Sequence, residues 1–351
     1  VENIRVKAVI NNSAISNNKA VSMRDIAKAT GYSVNTVSHA LKDKKDISEK
    51  TKEYIKKTAA EMGFIVDSVA SSLRSGVTRT ISVIIGDIFN PHFGMWVRDI
   101  ELAAFENGYT TFIINTNEDE THERNAIITS ISKRVDGIII CPTQIGRDNI
   151  DMIKTANIPY VLIGRRYRSE GYNYVICDDE KGGELAVNHL ISKGCRKILF
   201  LNGPEYISSA KERLEGYKKA LKDNSVRFKK ELVRTVDIKA ENLKNIIYET
   251  VNGDIEFDGI FAFSDILAFE VIAELKKYGD RYDSLPVIGF DNVMENLVLP
   301  VSMSTVAVKG ESLASIAFNR LGEMMKSRKD KNGDSTEPIE IISDVEVVEY
   351  R

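Results

Sequence analysis

Cysteine is scarce: Cys141, Cys177 and Cys195 are the only three in 351 residues. Three thiols cannot build a dense disulfide framework, and none has neighbours at metal-ligand spacing. Reduced, buried side chains are expected instead. Long apolar runs are missing too. No stretch approaches the roughly eighteen residues a membrane-spanning helix needs. Proline is low, at seven residues, while 43% of the chain is hydrophobic, which excludes collagen-like and disordered chains. Arg5 and Lys7 precede only a short apolar run, and Asn11, Asn12, Asn17 and Asn18 interrupt it. That is a poor secretory leader, so a cytoplasmic location is expected. The glycine motifs G-x-x-x-x-G-K-[ST], G-x-G-x-x-G and G-x-S-x-G do not occur. The usual cradles for nucleotide phosphates and the usual nucleophile elbow are therefore absent. No enzyme activity, cofactor or metal is expected.

Charge is what the chain has in quantity, and it is unevenly spread. The net charge is only −3. Residues 19–76 nevertheless hold eleven Lys and Arg against seven Asp and Glu, a net of +4. The chain beyond them holds 35 basic against 43 acidic residues, a net of −8. A basic head on an acidic body suits a small module held against phosphates and a body that is not.

Residues 1–20 are asparagine-rich and read as a loose extension. Ser22-Met23-Arg24-Asp25 is a capping box, with the serine as cap and the acid three residues later reaching back. A short helix follows and stops at Gly31. Ser33 caps a second helix, Val34–Leu41, in which Val37, Ala40 and Leu41 face inward. Two short helices joined by a tight glycine turn form the helix-turn-helix layout. The outer face carries Val34, Asn35, Ser38 and His39. In a major groove Asn pairs with adenine edges and a valine methyl meets thymine. A third helix starts at Ser48, with Ile55, Ala59 and Met62 as its buried stripe. The hydroxyls of Ser22, Ser33, Thr36, Ser48 and Thr51 lie near helix N-termini, where they cap and where phosphate is also favoured.

From Thr80 apolar strands alternate with amphipathic helices. Strands are expected at 81–85, 110–115, 137–141, 160–163, 197–201, 232–236, 259–263 and 286–290. Helices are expected at 91–107, 121–133, 179–192, 209–221, 240–251 and 266–278, and one more between the strands at 137–141 and 160–163. Repeated βα units imply parallel sheets covered on both faces, and two such series imply two lobes. The division is thus an extension (1–20), an all-α head (21–64), a linker (65–79) and a two-lobe α/β body (80–351). Ligands of open α/β sheets sit at the carboxyl ends of the strands. Asp87, Asn90, Phe93, Arg165, Asn202, Ser264, Asp265 and Asp291 fall there. They contain no nucleophile–base pair and suit hydrogen bonding to a polyol or heterocycle.

Residues 23–41, MRDIAKATGYSVNTVSHAL, resemble the head of the lac-repressor-type (LacI/GalR) transcription regulators, whose pattern is D-V-A-x-x-A-G-V-S-x-x-T-V-S-R-x-L. The resemblance implies that Val34, Asn35 and His39 read bases, His39 standing where the family usually has Arg. Residues 65–76 resemble the family's hinge, with Ala70 and Leu73 matching and Val66, Asp67 and Ser71 departing. There the family inserts a leucine wedge into the minor groove, which kinks the duplex so that more protein meets DNA. The body matches in stretches such as Asn90-Pro91-His92-Phe93, Arg213-Leu214-Glu215-Gly216-Tyr217 and Val287-Ile288-Gly289-Phe290-Asp291, which implies a periplasmic-binding-protein-like core with an effector cleft between its lobes. By that match Phe93 is a cleft wall, Arg213 a clamp for effector oxygens and Asp291 an acceptor from effector hydroxyls or amines. Arg165, Ser209, Lys211 and Ser264 complete the expected set. Asp178 and His189 are expected to be structural, and Trp96 to lie in the core or at a subunit contact.

The implied protein is a sequence-specific DNA-binding regulator, a repressor on family grounds. It binds a palindromic operator as a homodimer or a tetramer and is controlled by a sugar or sugar-phosphate effector. A phosphoprotein corepressor in place of the small effector is a variant within the family. A solute receptor with an idle head and an enzyme are the competing classes. An intact head and a poor leader argue against the first, and the missing catalytic motifs argue against the second.

Overall fold

The computed structural model describes residues 21–65, 76–169, 171–253, 255–295, 297, 303–328 and 337–350. The expected extension and the hinge residues Ala70 and Leu73 lie outside this set. The chain divides into two compact units, residues 1–76 and 77–351.

The head is three helices, α1 (Met23–Thr30), α2 (Val34–Leu41) and α3 (Glu49–Glu61). Asp25 accepts from both the backbone N–H and the hydroxyl of Ser22 (2.9 and 2.6 Å). Gly31 ends α1 in the left-handed region at φ 76°, a conformation that costs a residue without Cβ little. Ser33 and Ser48 cap α2 and α3 by accepting from the N–H of Thr36 and Thr51. Ile26, Val37, Ala40, Ile55 and Ala59 form the shared core, with Leu41 and Met62 packed against it.

The body is built on two six-stranded sheets. The strands of the first are β1 (Thr80–Ile85), β2 (Thr110–Asn115), β3 (Gly137–Ile140), β4 (Tyr160–Ile163), β5 (Tyr174–Cys177) and β11 (Glu340–Ser343), in the order β11-β5-β4-β3-β1-β2. The second has β6 (Ile198–Asn202), β7 (Val233–Thr235), β8 (Gly259–Ala262), β9 (Val287–Phe290), β10 (Ser304–Val308) and β12 (Val345–Glu349), in the order β12-β10-β9-β8-β6-β7. Pairing is parallel except between β10 and β12. Helices α4 (Pro91–Glu106), α5 (Glu120–Ser132), α6 (Asp148–Thr155) and α11 (Leu313–Ser327) belong to the first lobe. Helices α7 (Asp179–Ser192), α8 (Ser208–Asp223), α9 (Leu243–Asn252) and α10 (Asp265–Leu275) belong to the second. Apolar clusters fill both faces of each sheet, which explains the near-continuous apolar strands. All three cysteines are free and buried.

Helices α7 and α8 cross closely because Gly183 and Gly216 let their backbones meet. A Cβ on Gly216 would overlap the carbonyl of Glu180, and one on Gly183 the carbonyl of Arg213. The chain passes between the lobes three times: from β5 to α7 at Asp178, from β10 to α11 through residues 309–312, and from β11 to β12 at Asp344. These crossings are tied together. The Asp178 N–H donates to the Ser343 carbonyl (2.9 Å), the Lys309 N–H to the Asp344 carbonyl (2.8 Å) and Lys181 Nζ to the Asp344 carboxylate (2.6 Å).

Several element boundaries differ from the sequence expectation for identifiable reasons. Helix α9 starts at Leu243 rather than 240, because the Asp237 carboxylate takes the N–H groups of Lys239, Glu241 and Asn242 and holds them in a turn. Residues 276–278 wind as a 3₁₀ turn that closes α10 early, and Leu232 falls in a 3₁₀ turn before β7. β5, β10, α11, β11 and β12 were not expected as elements.

Candidate functional site

The outer face of α2 is one of two candidate sites. Val34 is 43% exposed despite being apolar, and Asn35 beside it is exposed. Ser38 and His39 are half-buried. The Thr36 hydroxyl lies 2.9 Å from that of Ser33, and the Thr51 hydroxyl 2.8 Å from that of Ser48. The sequence thus places short hydroxyls in pairs at two helix starts. His39 Nδ1 lies 2.6 Å from an Asp46 carboxylate oxygen, a partner the sequence reading did not assign.

The other is a cavity of about 340 Å³ between the lobes of the body, at the carboxyl ends of the strands. From the first lobe Phe93, Trp96, Glu118, Cys141 and Arg165 line it; from the second, Ser209, Arg213, Phe263, Ser264 and Asp291. Phe93 and Trp96 reach it because Asn90 caps α4, accepting from the His92 N–H, and Pro91 opens the helix. Trp96 lies against Gly164 so closely that a Cβ there would overlap the indole, and Gly164 has φ 71°. Both demands select glycine.

Each cavity arginine is already neutralised from behind. Arg165 forms a two-pronged pair with Glu118 (both 2.8 Å) and also donates to the Pro142 carbonyl (2.9 Å). Arg213 donates from Nε to Asp179 (2.8 Å) and from Nη1 to the Phe263 carbonyl. Its guanidinium lies 3.5 Å from the Phe290 ring centre, a cation–π arrangement. Burial opposes the charge of both arginines, yet Glu118 and Asp179 hold their pKa values above the ordinary range. The planar fork of each is thus fixed in place before anything binds.

Asp291 is the exception among the buried charges of the cavity. Its carboxylate stands 3.9 Å from Arg213 Nη2 and 3.8 Å from His92 Nε2, beyond hydrogen-bond reach. Burial pushes its pKa up to about 7, against the pull of Arg213 and then Arg165. Its backbone has φ 103°, a costly conformation for a residue with a side chain. The flanking chain enforces it: the Asp291 N–H donates to Val306 (2.9 Å), the Asn292 N–H to the Thr305 hydroxyl (3.2 Å), and the Val293 N–H to Asp265 (2.9 Å). His92 is held neutral, its pKa pushed down to about 3 by burial and then by Arg213. Its Nδ1 is buried without a hydrogen-bond partner among the described residues. Burial pushes the Cys141 thiol up to about 12, so it presents no thiolate.

Residues 78–340 match the family described as periplasmic binding proteins and sugar binding domain of the LacI family, and residues 22–67 match the bacterial regulatory proteins of the lacI family. The chain is 31% identical to the ribose operon repressor of Halalkalibacterium halodurans over 308 residues, 87% of this chain and 91% of that one. A periplasmic binding protein/LacI transcriptional regulator from Alkaliphilus metalliredigens, solved with D-xylulofuranose, is 28% identical. It covers 77% of this chain and 97% of its own, with a TM-score of 0.64. The Lac repressor bound to ONPG in its repressed state shares the fold, with a TM-score of 0.79 over 94% of this chain and 98% of its own at 22% identity. This chain belongs to the LacI family. It is a DNA-binding transcription regulator with a helical head and a two-lobe sugar-binding-type body.

Within this LacI-family body, six of the seven effector residues expected from the sequence line one cavity: Phe93, Arg165, Ser209, Arg213, Ser264 and Asp291. Lys211 does not. The helical turn that points Ser209 and Arg213 inward leaves Lys211, two residues away from each, exposed on the opposite side of α8. Ser264 caps α10 through the Leu267 N–H (3.2 Å) as well as lining the cavity. Trp96 is buried as expected and is in addition a cavity wall. Asn202 and Asp265 stand behind the wall. The first donates to the Ala210 carbonyl (3.0 Å), and the second accepts from Thr305 (2.6 Å) and Val293. Asp178 caps α7, and His189 lies 2.8 Å from the Ser304 hydroxyl, both structural roles. Glu118 and His92 were missed. Glu118 follows a strand as Asp87 does, and that placement was the available signal. No sequence pattern marks the orphaned ring nitrogen of His92.

Proposed function

We propose that the chain is a homodimeric repressor of a sugar-utilisation operon, working in the cytoplasm, whose effector is an uncharged pentose-class sugar bound in the inter-lobe cavity. The observation that carries the effector class is the charge balance of the lining. Asp87, Glu118, Asp237, Glu270 and Asp291 face only Arg165, Arg213 and Lys239, and both arginines are already paired. A phosphate dianion would meet a net negative wall. A polyol meets Asp291, whose carboxylate has no hydrogen-bond partner among the described residues, and the aromatic walls Phe93, Trp96 and Phe263 cover its C–H face. The ribose operon repressor and the D-xylulofuranose complex among its relatives point to the same class.

Self-association is supported by the apolar side chains the first lobe leaves outside. Leu102 and Phe105 of α4 and Phe112 and Ile113 of the edge strand β2 are exposed, Phe105 by 74%. A two-fold pair of heads reads a palindrome with matched half-sites. In this proposal Val34, Asn35, Ser38 and His39 face base edges. The hydroxyls of Ser22, Ser33, Thr36, Ser48 and Thr51 meet phosphates, and Ala70 and Leu73 supply the wedge.

The test is thermal denaturation and calorimetry with ribose, xylulose, glucose and ribose 5-phosphate, followed by anisotropy titrations of upstream DNA at fixed salt. A neutral pentose should raise Tm and change operator affinity, and the phosphate should do neither. Preferential binding of the phosphate would overturn the effector class. Sugar binding without any palindrome-dependent DNA binding would overturn the repressor.

A further inference from the structure

The chain enters the body through a clamp built on one carboxylate. Val77 opens the second compact unit, and the next two residues are held by Asp136. The Thr78 N–H donates to Asp136 Oδ1 (2.9 Å) and the Arg79 N–H to Oδ2 (2.8 Å). The Thr78 hydroxyl has two acceptors in reach, Asp136 Oδ1 and the Arg134 carbonyl, both at 3.1 Å. The Asp136 N–H donates to the Thr80 carbonyl and the Thr110 N–H to the Arg79 carbonyl (both 2.8 Å). Arg79 and Arg134 both have φ 54°, the left-handed region that a side chain disfavours. The Asp136 carboxylate therefore holds strained backbone at the point where the linker joins the body.

Thr80 and Gly137 begin β1 and β3, so the clamp lies at the amino ends of the strands. The cavity lies at their carboxyl ends. Helix α5 reaches both. Just before it, Glu118 makes the two-pronged pair with Arg165 in the cavity wall, itself at φ 54°. Just after it come Arg134 and Asp136. The thirteen residues of α5 span about 20 Å. Polar contacts fix its inner side: Glu123 accepts from the Thr143 N–H (2.6 Å) and Asn149 Nδ2 (3.0 Å), and the Ser130 hydroxyl donates to that of Ser82 in β1 (2.7 Å).

We propose that Asp136 is a positioning residue that couples occupancy of the cavity to the direction in which the linker leaves the body. The proposal rests on the effector reading of the cavity. The clamp is a two-state element. In its closed state Asp136 holds Thr78 and Arg79 as seen here. In its open state Arg79 relaxes to extended backbone and the linker is re-aimed. A ligand on Arg165 shifts Glu118, and α5 carries the shift to Arg134 and Asp136. Hydrogen bonds weaken steeply with misalignment, and the strain at Arg79 assists opening. An element with two arrangements, biased from both ends, is what coupling between distant sites requires. Both carboxylate oxygens are needed. Asparagine would keep one acceptor for Thr78 and turn a donor toward the Arg79 N–H.

The experiment compares full-length wild type, Asp136→Asn and Asp136→Ala. Each is titrated with ribose and xylulose by calorimetry, then with the upstream duplex by anisotropy at fixed salt, with and without the sugar that binds. In the wild type the sugar should change duplex affinity by about 5- to 150-fold. Both variants should bind the sugar within about twofold of wild type, while the change in duplex affinity falls to within about twofold of none. Hydrogen exchange at the Thr78 and Arg79 amides should change on sugar binding in the wild type and be fast in Asp136→Ala with or without sugar. An unchanged sugar effect in either variant would overturn the role of Asp136 and leave the effector reading standing. So would sugar affinity and Tm falling in step with the sugar effect, or equal wild-type exchange at both amides with and without sugar. A wild type that binds neither sugar, or whose duplex affinity the bound sugar leaves unchanged, would overturn the effector reading and the coupling role with it.

Discussion

Asp291 and Asp265 are neighbouring buried acids with different work to do, and pH separates them. Asp265 accepts from Thr305 and Val293 and holds the chain that carries Asp291. Burial, and then the charge of Asp291, push its pKa up to about 8 from an ordinary 3.8. A carboxyl raised in the folded state favours the protonated form. Its stabilising contribution is complete below about pH 4 and is lost as pH rises through about 8, at no more than about 1.4 kcal/mol per pH unit. Asp265→Asn should therefore flatten the pH dependence of Tm between 4 and 8, measured by scanning calorimetry. Asp291, at about 7 when the cavity is empty, must ionise to accept fully from a sugar hydroxyl, so effector affinity should rise with pH from 6 to 8. Asp291→Asn should remove that rise and weaken the effector by about 1.5–3 kcal/mol, read by calorimetric titration, with operator affinity of the unliganded protein unchanged. At this scale the sequence was informative where a side chain ends a strand or sits in a family motif: Arg213 and Asp291 could be picked out that way. His92 could not, because a histidine at a helix start carries no sign that it will line a cavity.

The elements themselves show where pattern reading succeeds. Caps, glycine stops and apolar periodicity located the three head helices, because each signal is local. Helix α9 was misplaced by three residues because one aspartate captured its first N–H groups. β11 and β12 escaped because they are short, half-exposed at sheet edges and carry acids among their apolar residues, a pattern that also fits solvated chain. Two consequences belong to elements. Gly216→Ala places a Cβ into the Glu180 carbonyl at the α7–α8 crossing, and should cost at least about 1–3 kcal/mol in chemical denaturation. Asn35→Ala on the outer face of α2 should weaken the preferred duplex by about 1–3 kcal/mol, relax selection at one base pair and leave the salt slope of unrelated DNA unchanged.

Across the whole molecule the two lobes of the body are held by more than the crossings. Arg166 and Arg168 of the first lobe converge on Glu212 of α8 (3.0 and 3.4 Å), and Arg168 also reaches Glu215 (2.7 Å). Gln144 accepts from the Ser208 N–H and donates to the Arg166 carbonyl. Glu212 is nearly buried and both lobes depend on it. Glu212→Ala should release this clasp and lower the population of closed lobes, weakening the effector several-fold by calorimetric titration. The alternation of strands and helices made two parallel sheets legible, and with them the cavity at their carboxyl ends. The sharing of residues 304–349 between the lobes was not, since no local signal tells a strand which sheet it will join. That sharing also orders events on the ribosome. The first lobe lacks α11 and β11, and the second lacks β12, until residues 313–349 have been made. The head core is complete once residues 21–65 have been made. During synthesis a chain therefore gains the means to grip DNA long before it gains the means to answer an effector.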